Sequence, residues 1–343
     1  LFESSQNKPH PLRQRLRLAD SEQLDCAGVT KRMGAADIAD RFTPFSRVAA
    51  DAWISDIHTK APEKLKVLCT AYEALVSAEL ATRVIGNPDS QGRSIYAAFP
   101  YDAQLCYPNR LAAALRDNRH HADHTERLDA LQKVLRPLWK EYGAPSSYGV
   151  LLLADGDAMG KLIDAATRQS EHQQITQALS GFAEGVNAVV RKYRGHALYA
   201  GGDDVLAFVP LHESVACADD LRQTFVQHLQ AVAEQLQVPA PTLSVGLAIA
   251  HMLQPLGQIR EQAQRAEQTA KGNDQSVDKR RNALGISLSV RGGSETLLRL
   301  RWDDQPAQNS LTRAIRAYLD RSLPSRVAYD LRALHEQTVF ARS

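Results

Sequence analysis

Apolar residues recur at helical spacing through much of the first 145 residues. The stretch 64–76 carries the pattern, and Leu128, Leu131, Leu135 and Leu138 repeat it before Gly143-Ala-Pro-Ser-Ser147 breaks it. This region, residues 1–145, is predicted to be a mainly helical domain. Beyond the break, short β-rich runs alternate with longer amphipathic stretches, the signature of a mixed domain. Tyr148 to Ala154 reads as a strand, and Ile175, Leu179, Phe182, Val186, Val190 and Tyr193 line one helix face up to Gly195. Ala197–Ala200 and Val205–Val209 flank Gly201-Gly202-Asp203-Asp204 as a hairpin. Leu221, Phe225, Leu229, Val232 and Leu236 mark a second long helix, and Thr242–Ala250 a further strand. A helix ending in Ala270-Lys271 and a strand over 284–290 complete the series.

The order β-α-β-β-α-β is the ferredoxin-like pattern, with one helix and one strand added. The predicted class is α+β, with this domain over 146–293. Helical stretches on Leu311, Ile315 and Leu319 and on Val327, Leu331 and Leu334 predict the start of a C-terminal helical domain over 294–343.

Composition narrows the functional classes. No apolar run is longer than that of Val150–Ala154, far short of the roughly 20 residues a bilayer crossing needs, so no membrane association is expected. The 41 Lys and Arg against 39 Asp and Glu leave +2, which carries no electrostatic footprint of a nucleic-acid binder. The four cysteines, at 26, 69, 106 and 217, show no Cys-x-x-Cys spacing, so a reducing, cytoplasmic setting is expected.

Topology points to a site. A helical crossover makes the first two strands parallel, so their C-terminal ends share one edge of the sheet. Asp155 ends the first strand and Asp203 and Asp204 follow the second, so three carboxylates distant in sequence are expected to meet. Such oxygen ligands suit Mg²⁺ or Mn²⁺, which bind through a few carboxylates and substrate phosphates. Gly201 and Gly202 are expected to supply positive φ and room for a nucleotide. Gly156-Asp157-Ala158-Met159-Gly160 is expected to lead, as a small-residue loop, into a helix whose free N–H groups suit phosphates. Lys271 adds a compact cation. Taken singly, Gly-Gly-Asp-Asp is ordinary hairpin composition, Asp155 an ordinary helix cap and Lys271 a solvated helix end; it is their convergence that suggests chemistry.

These motifs resemble a known family. Leu-Leu-Ala-Asp155-Gly-Asp157-Ala-Met-Gly160-Lys161, Leu-Tyr-Ala-Gly201-Gly202-Asp203-Asp204-Val-Leu-Ala, Leu243-Ser-Val-Gly-Leu-Ala-Ile-Ala-His251 and Ala270-Lys271 look like the cyclase-type palm of the large subunit of type III CRISPR effector complexes, most like the type III-B (Cmr) form. The resemblance covers about 148–293. It implies synthesis of cyclic oligoadenylates from ATP, in a complex with other protein subunits, guide RNA and target RNA. It also implies that Asp155, Asp203 and Asp204 are metal-binding carboxylates and Lys271 a phosphate-contacting lysine. Two other classes stay open: a diguanylate cyclase, although Asp204-Val205 replaces the Glu-Phe of that family, and a catalytically silent palm that scaffolds an RNA–protein complex. The family's N-terminal HD nuclease and first palm-like domain have no counterpart in these residues.

Leu24-Asp-Cys26-Ala-Gly-Val29-Thr-Lys31-Arg32 is similar to the end of the family's zinc-binding insertion, but Val29 stands in the second cysteine's place, so no zinc is expected. His120 and His124 share helical spacing but read as a solvated helix start. His251 reads as a hydrogen-bonded strand end and Lys279-Arg280-Arg281 as a solvated loop.

Overall fold

The structure, a computed structural model, describes residues 43–84, 94–289 and 295–320 and a few isolated positions. The chain divides into two compact units, residues 1–149 with 194–196, and residues 150–193 with 197–343. The zinc-insertion-like stretch lies outside the described residues apart from Cys26 and Val29, as does most of the expected helix around Leu331.

In the first unit, α1 (Phe45–Ala49), α2 (Asp51–Lys60), α3 (Pro62–Ser77), α4 (Pro108–Asp117) and α5 (Ala122–Tyr142) follow in order. Pro62 and Pro108 open their helices, where a missing N–H costs nothing. Helix α3 buries Leu65, Leu68, Tyr72 and Leu75 and packs against α5, which buries Leu128, Leu131, Leu135 and Leu138. A fully buried ion pair joins Arg47 Nη1 to Asp51 Oδ1 at 3.0 Å, and Arg194 Nη2 reaches the same oxygen at 2.9 Å. Burial alone would raise the Asp51 pKa, but hydrogen bonds and charge from Arg194 and Arg47 bring it below the usual carboxylate range.

The second unit holds β1 (Tyr148–Asp157), α6 (Met159–Ala165), α7 (Gln169–Lys192), β2 (His196–Gly201), β3 (Asp204–Val209), α8 (Ser214–Gln235), β4 (Thr242–His251), α9 (Leu256–Lys271), β5 (Ala283–Leu288), β6 (Thr296–Arg301) and α10 (Gln305–Leu319). Among the described residues six strands form one sheet in the order β2-β3-β1-β4-β5-β6. Its first four strands have the ferredoxin-like order, and β5 joins β4 in parallel, with Val245 opposite Leu284.

Alternation in the strands decides which residues face which helices. Val150, Leu152 and Ala154 of β1, Val205, Ala207 and Val209 of β3, and Leu243, Val245 and Leu247 of β4 form one buried cluster with Phe182, Val186 and Val190 of α7 and Leu221, Phe225 and Leu229 of α8. Phe182 and Phe225 meet edge to face at 5.0 Å, and each fully buried ring of this kind contributes about 1.5–3 kcal/mol. The opposite face of β4 and β5 carries Gly246 and Gly285, and α9 lies directly on them: a Cβ at Gly285 would stand 1.9 Å from the Ala266 carbonyl oxygen.

Two sequence expectations change. Residues 296–301 form an edge strand antiparallel to β5, with Leu300 opposite Leu284, so the sheet extends into the region expected to be helical. Leu298-Arg-Leu-Arg301 has the two-residue period of a strand, which composition alone conceals. Helix α10, over Gln305–Leu319, takes up the expected Leu311–Leu319 stretch. Strand β1 also runs on through Asp157 instead of ending at Ala154.

Candidate active site

The β1–β3 ladder pairs Val150 with Val209 and Ala154 with Val205; continued by one and then two residues, that register brings Asp155 to Asp204 and Gly156 to Asp203, whose Cβ would lie 2.7 Å from a Cβ at Gly156. Directly opposed residues in such a pair have Cβ atoms about 4.5–5.5 Å apart. Burial first, then the charge of the neighbouring Asp155 carboxylate, raises the Asp204 pKa. Asp203 is raised by burial and, less, by Asp155. Asp155 thus neighbours both Asp203 and Asp204 at this edge of the sheet. Gly156 has its own reason to be glycine: a Cβ there would lie 2.7 Å from Asp203 Oδ2 and 3.0 Å from the Phe225 ring.

The hairpin corrects one expectation. Gly202 has φ +62 and open space where a Cβ would be, whereas Gly201 is not among the positive-φ positions and faces the Tyr199 hydroxyl, 2.5 Å from a would-be Cβ. A two-residue loop with positive φ at its first position alone is the II′ form, which needs only one glycine.

Lys271, the last residue of α9, stands between two carboxylates. Its Nζ lies 2.6 Å from Asp155 Oδ2 and 2.7 Å from Glu267 Oε1, one helical turn back. Burial pulls the Lys271 pKa down, but the bonds to Asp155 and Glu267 outweigh it and leave the pKa raised. Glu267 is only 8 % exposed, and burial raises its pKa against the lowering effect of Lys271. Sequence reading missed Glu267; its signal is the i, i+4 spacing to Lys271 on the face that carries Ala263, Ala266 and Ala270.

Asp157 serves another purpose. It is 1 % exposed, and its carboxylate accepts from Thr242 Oγ1 at 2.8 Å, Ser244 Oγ at 2.8 Å and the Asn282 N–H at 3.1 Å. It ties the end of β1 to the starts of β4 and β5, and burial raises its pKa despite those donors. Arg281 and Asn282, both at positive φ, form the turn it holds, and the Arg281 N–H donates to the Lys271 carbonyl at 2.9 Å. The expected phosphate-cradling loop shrinks to Ala158, left-handed at φ +60, because β1 consumes Asp155–Asp157 and α6 begins at Met159. Met159 packs against the core cluster, and Gly160 faces open space.

Because Thr242 meets Asp157, β4 runs opposite to β1, and His251 lies at the other end of the sheet, nine residues from Thr242. There its Nδ1 accepts from the Leu253 N–H at 3.2 Å. His121 and His124 stack at 5.3 Å, and His124 bonds Asn118. Among the described residues no three His, Cys, Asp or Glu side chains converge on one cation position as they stand, and no helix is long and apolar enough to cross a membrane. At the sheet edge the donor chemistry nevertheless suits a hard cation: Asp155, Asp203 and Asp204 are oxygen donors, with the Lys271 ammonium beside Asp155.

Residues 147–284 match the family described as Cas10/Cmr2, second palm domain. The resemblance to that palm holds. The Cmr2 subunit of the CRISPR Cmr system of Pyrococcus furiosus is 28 % identical over 230 residues, 59 % of this chain and 26 % of that protein, so the chain spans about a quarter of its relative's length. Among solved structures, the type III-B Cmr-beta complex bound to cognate target RNA matches with TM-score 0.43 and 13 % identity, over 79 % of this chain and 38 % of the other. The Csm1–Csm4 cassette in complex with cA4 matches with TM-score 0.40 and 17 % identity, over 57 % and 29 %. The palm match spans β1 to the start of β5 and so contains Asp155, both hairpin aspartates, Glu267 and Lys271.

Proposed function

We propose that this chain is part of the large subunit of a type III CRISPR effector complex and that its palm makes cyclic oligoadenylates from ATP. The observation that carries the reading is the opposition of Asp155 and Asp204, with Asp203 beside them and Lys271 on Asp155, at one edge of a Cas10/Cmr2-type palm. Asp155, Asp203 and Asp204 would hold Mg²⁺ or Mn²⁺, which when bound supplies charge to activate a 3′-hydroxyl and to shield the α-phosphate under attack. Lys271 offers a compact cation to the phosphates, and Gly202 leaves the hairpin tip open to the nucleotide. Asp157 keeps the strand ends and the 281–282 turn in place. The other subunits, guide RNA and target RNA belong to this proposal as the partners that assemble with the chain and switch it on.

The test incubates the assembled complex with labelled ATP or GTP and Mg²⁺ or Mn²⁺, with and without matching target RNA. Asp203→Ala with Asp204→Ala should lower oligoadenylate formation more than about a hundredfold, or about 2.7 kcal/mol of barrier, and leave the melting temperature unchanged or slightly higher. A double variant at near wild-type rate would favour the silent scaffold or another site, and preference for GTP would favour the diguanylate cyclase class.

A further inference from the structure

The palm reading gives Lys271 a task but leaves Glu267 without one. Glu267 is a carboxylate 8 % exposed, on the helix that touches the site, and its Oε1 is 2.7 Å from Lys271 Nζ. A buried carboxylate that loses its cation becomes an uncompensated charge in a poorly solvated place, among the most costly defects a fold can carry. Lys271 therefore cannot leave Glu267 freely. Asp155 is different: its side chain is 34 % exposed, against 10 % for Glu267, and it faces Asp204 across the ladder. Of the two ion pairs of Lys271, the one with Asp155 is the one that can be exchanged.

We infer that Glu267 is a positioning residue that tethers Lys271, so that the ammonium keeps its place beside the sheet edge when Asp155 turns to other partners and its remaining N–H donors are turned toward the nucleotide phosphates. The inference rests on the proposed function. An ammonium has three donors, enough for Glu267 and a phosphate oxygen together. Its four-carbon stem is otherwise free to sample many rotamers, and a fixed acceptor one helical turn away removes that freedom before the ligand arrives. The backbone supports the tether from both sides. Helix α9 lies on Gly246, where a Cβ would meet the Glu267 N–H at 2.3 Å, and the Arg281 N–H caps the Lys271 carbonyl.

The test compares Glu267→Leu, Glu267→Gln, Lys271→Met and Glu267→Leu/Lys271→Met in the assembled complex. Binding of a non-hydrolysable ATP analogue with Mg²⁺ should weaken about tenfold in Glu267→Leu and less in Glu267→Gln, which keeps an acceptor oxygen. Adding Glu267→Leu to Lys271→Met should change affinity by less than about twofold, because nothing is left to position. With saturating ATP, kcat of Glu267→Leu should stay within about threefold of wild type, separating placement from chemistry. In nucleotide-free, metal-free protein, Lys271→Met should melt lower than the Glu267→Leu/Lys271→Met double variant, which no longer buries an unpaired carboxylate. Equal affinity losses with and without Lys271, unchanged affinity, or additive melting shifts would overturn the tether. Mn²⁺ affinity that falls with Glu267→Leu in both backgrounds would overturn it too and make Glu267 a ligand. A wild-type complex that converts neither ATP nor GTP would instead remove the proposed function beneath it.

Discussion

Replacing Gly285 by alanine puts one methyl group between α9 and the sheet. The added Cβ would stand 1.9 Å from the Ala266 carbonyl oxygen, 2.9 Å from its carbon and 3.0 Å from the Ala270 N–H. Carbon and oxygen settle at about 3.4 Å, so helix and strand must part by about 1.5 Å. The obstructing atoms are backbone on both sides, and no side chain can rotate out of the way. Overpacking of this kind costs about 1–3 kcal/mol, and at about 2 kcal/mol a unit of this size loses roughly 4–8 °C of melting temperature. Lys271 and Glu267 ride on the displaced helix, and a misplacement of about 1 Å can cost about a hundredfold in rate when ATP is far below saturation. Scanning calorimetry and labelled-ATP turnover of Gly285→Ala would read both effects. Gly257→Ala is the control, since it lies on the same helix with nothing within 4 Å of its would-be Cβ. It should leave turnover unchanged and stability equal or up to about 1 kcal/mol higher. A Gly285→Ala protein that melts and turns over like wild type would refute the close helix–sheet approach on which the position of Lys271 depends.

Three further outcomes are expected. Asp157→Ala strands the hydroxyls of Thr242 and Ser244 and the Asn282 N–H, and should cost about 1–3 kcal/mol in urea unfolding, with Asp157→Asn costing less. Asp51→Ala leaves the fully buried Arg47 guanidinium without its carboxylate and should cost about 3–5 kcal/mol by the same measurement. Burial lowers the pKa of His196 below 6.5, so the unfolded chain binds a proton that the folded one refuses. Unfolding free energy should therefore fall as pH drops through 6.5 toward the lowered folded value, and His196→Gln should flatten that part of the profile.

The sequence carried the order of elements from β1 to β5 and the nearness of Asp155 to the hairpin aspartates, because both follow from local periodicity and the handedness of crossovers, but not the edge strand β6. It did not show where β1 ends. Asp-Gly-Asp reads as a turn in isolation, whereas β1 runs through it beside the β3 ladder, with the donors around Asp157 holding its end. Asp155 and Asp157 are two apart on one strand and look alike in sequence, yet one ends in an exchangeable ion pair and the other in a closed set of hydrogen bonds. Glu267 was hidden for a similar reason. A glutamate on an amphipathic helix reads as solvated until the helix is seen pressed onto glycines that leave it mostly buried.

The buried cluster beneath α7 and α8 contains none of Asp155, Asp203 or Asp204. What folds this palm and what would let it react are thus written in different residues, and selection can act on them separately. A lineage released from the need for the reaction could lose those three carboxylates one by one while the sheet, its helices and any surface that docks other subunits persist. Silent palms should accordingly arise with ease, and a descendant of this chain would be recognised as one by an eroded sheet edge above an undisturbed core.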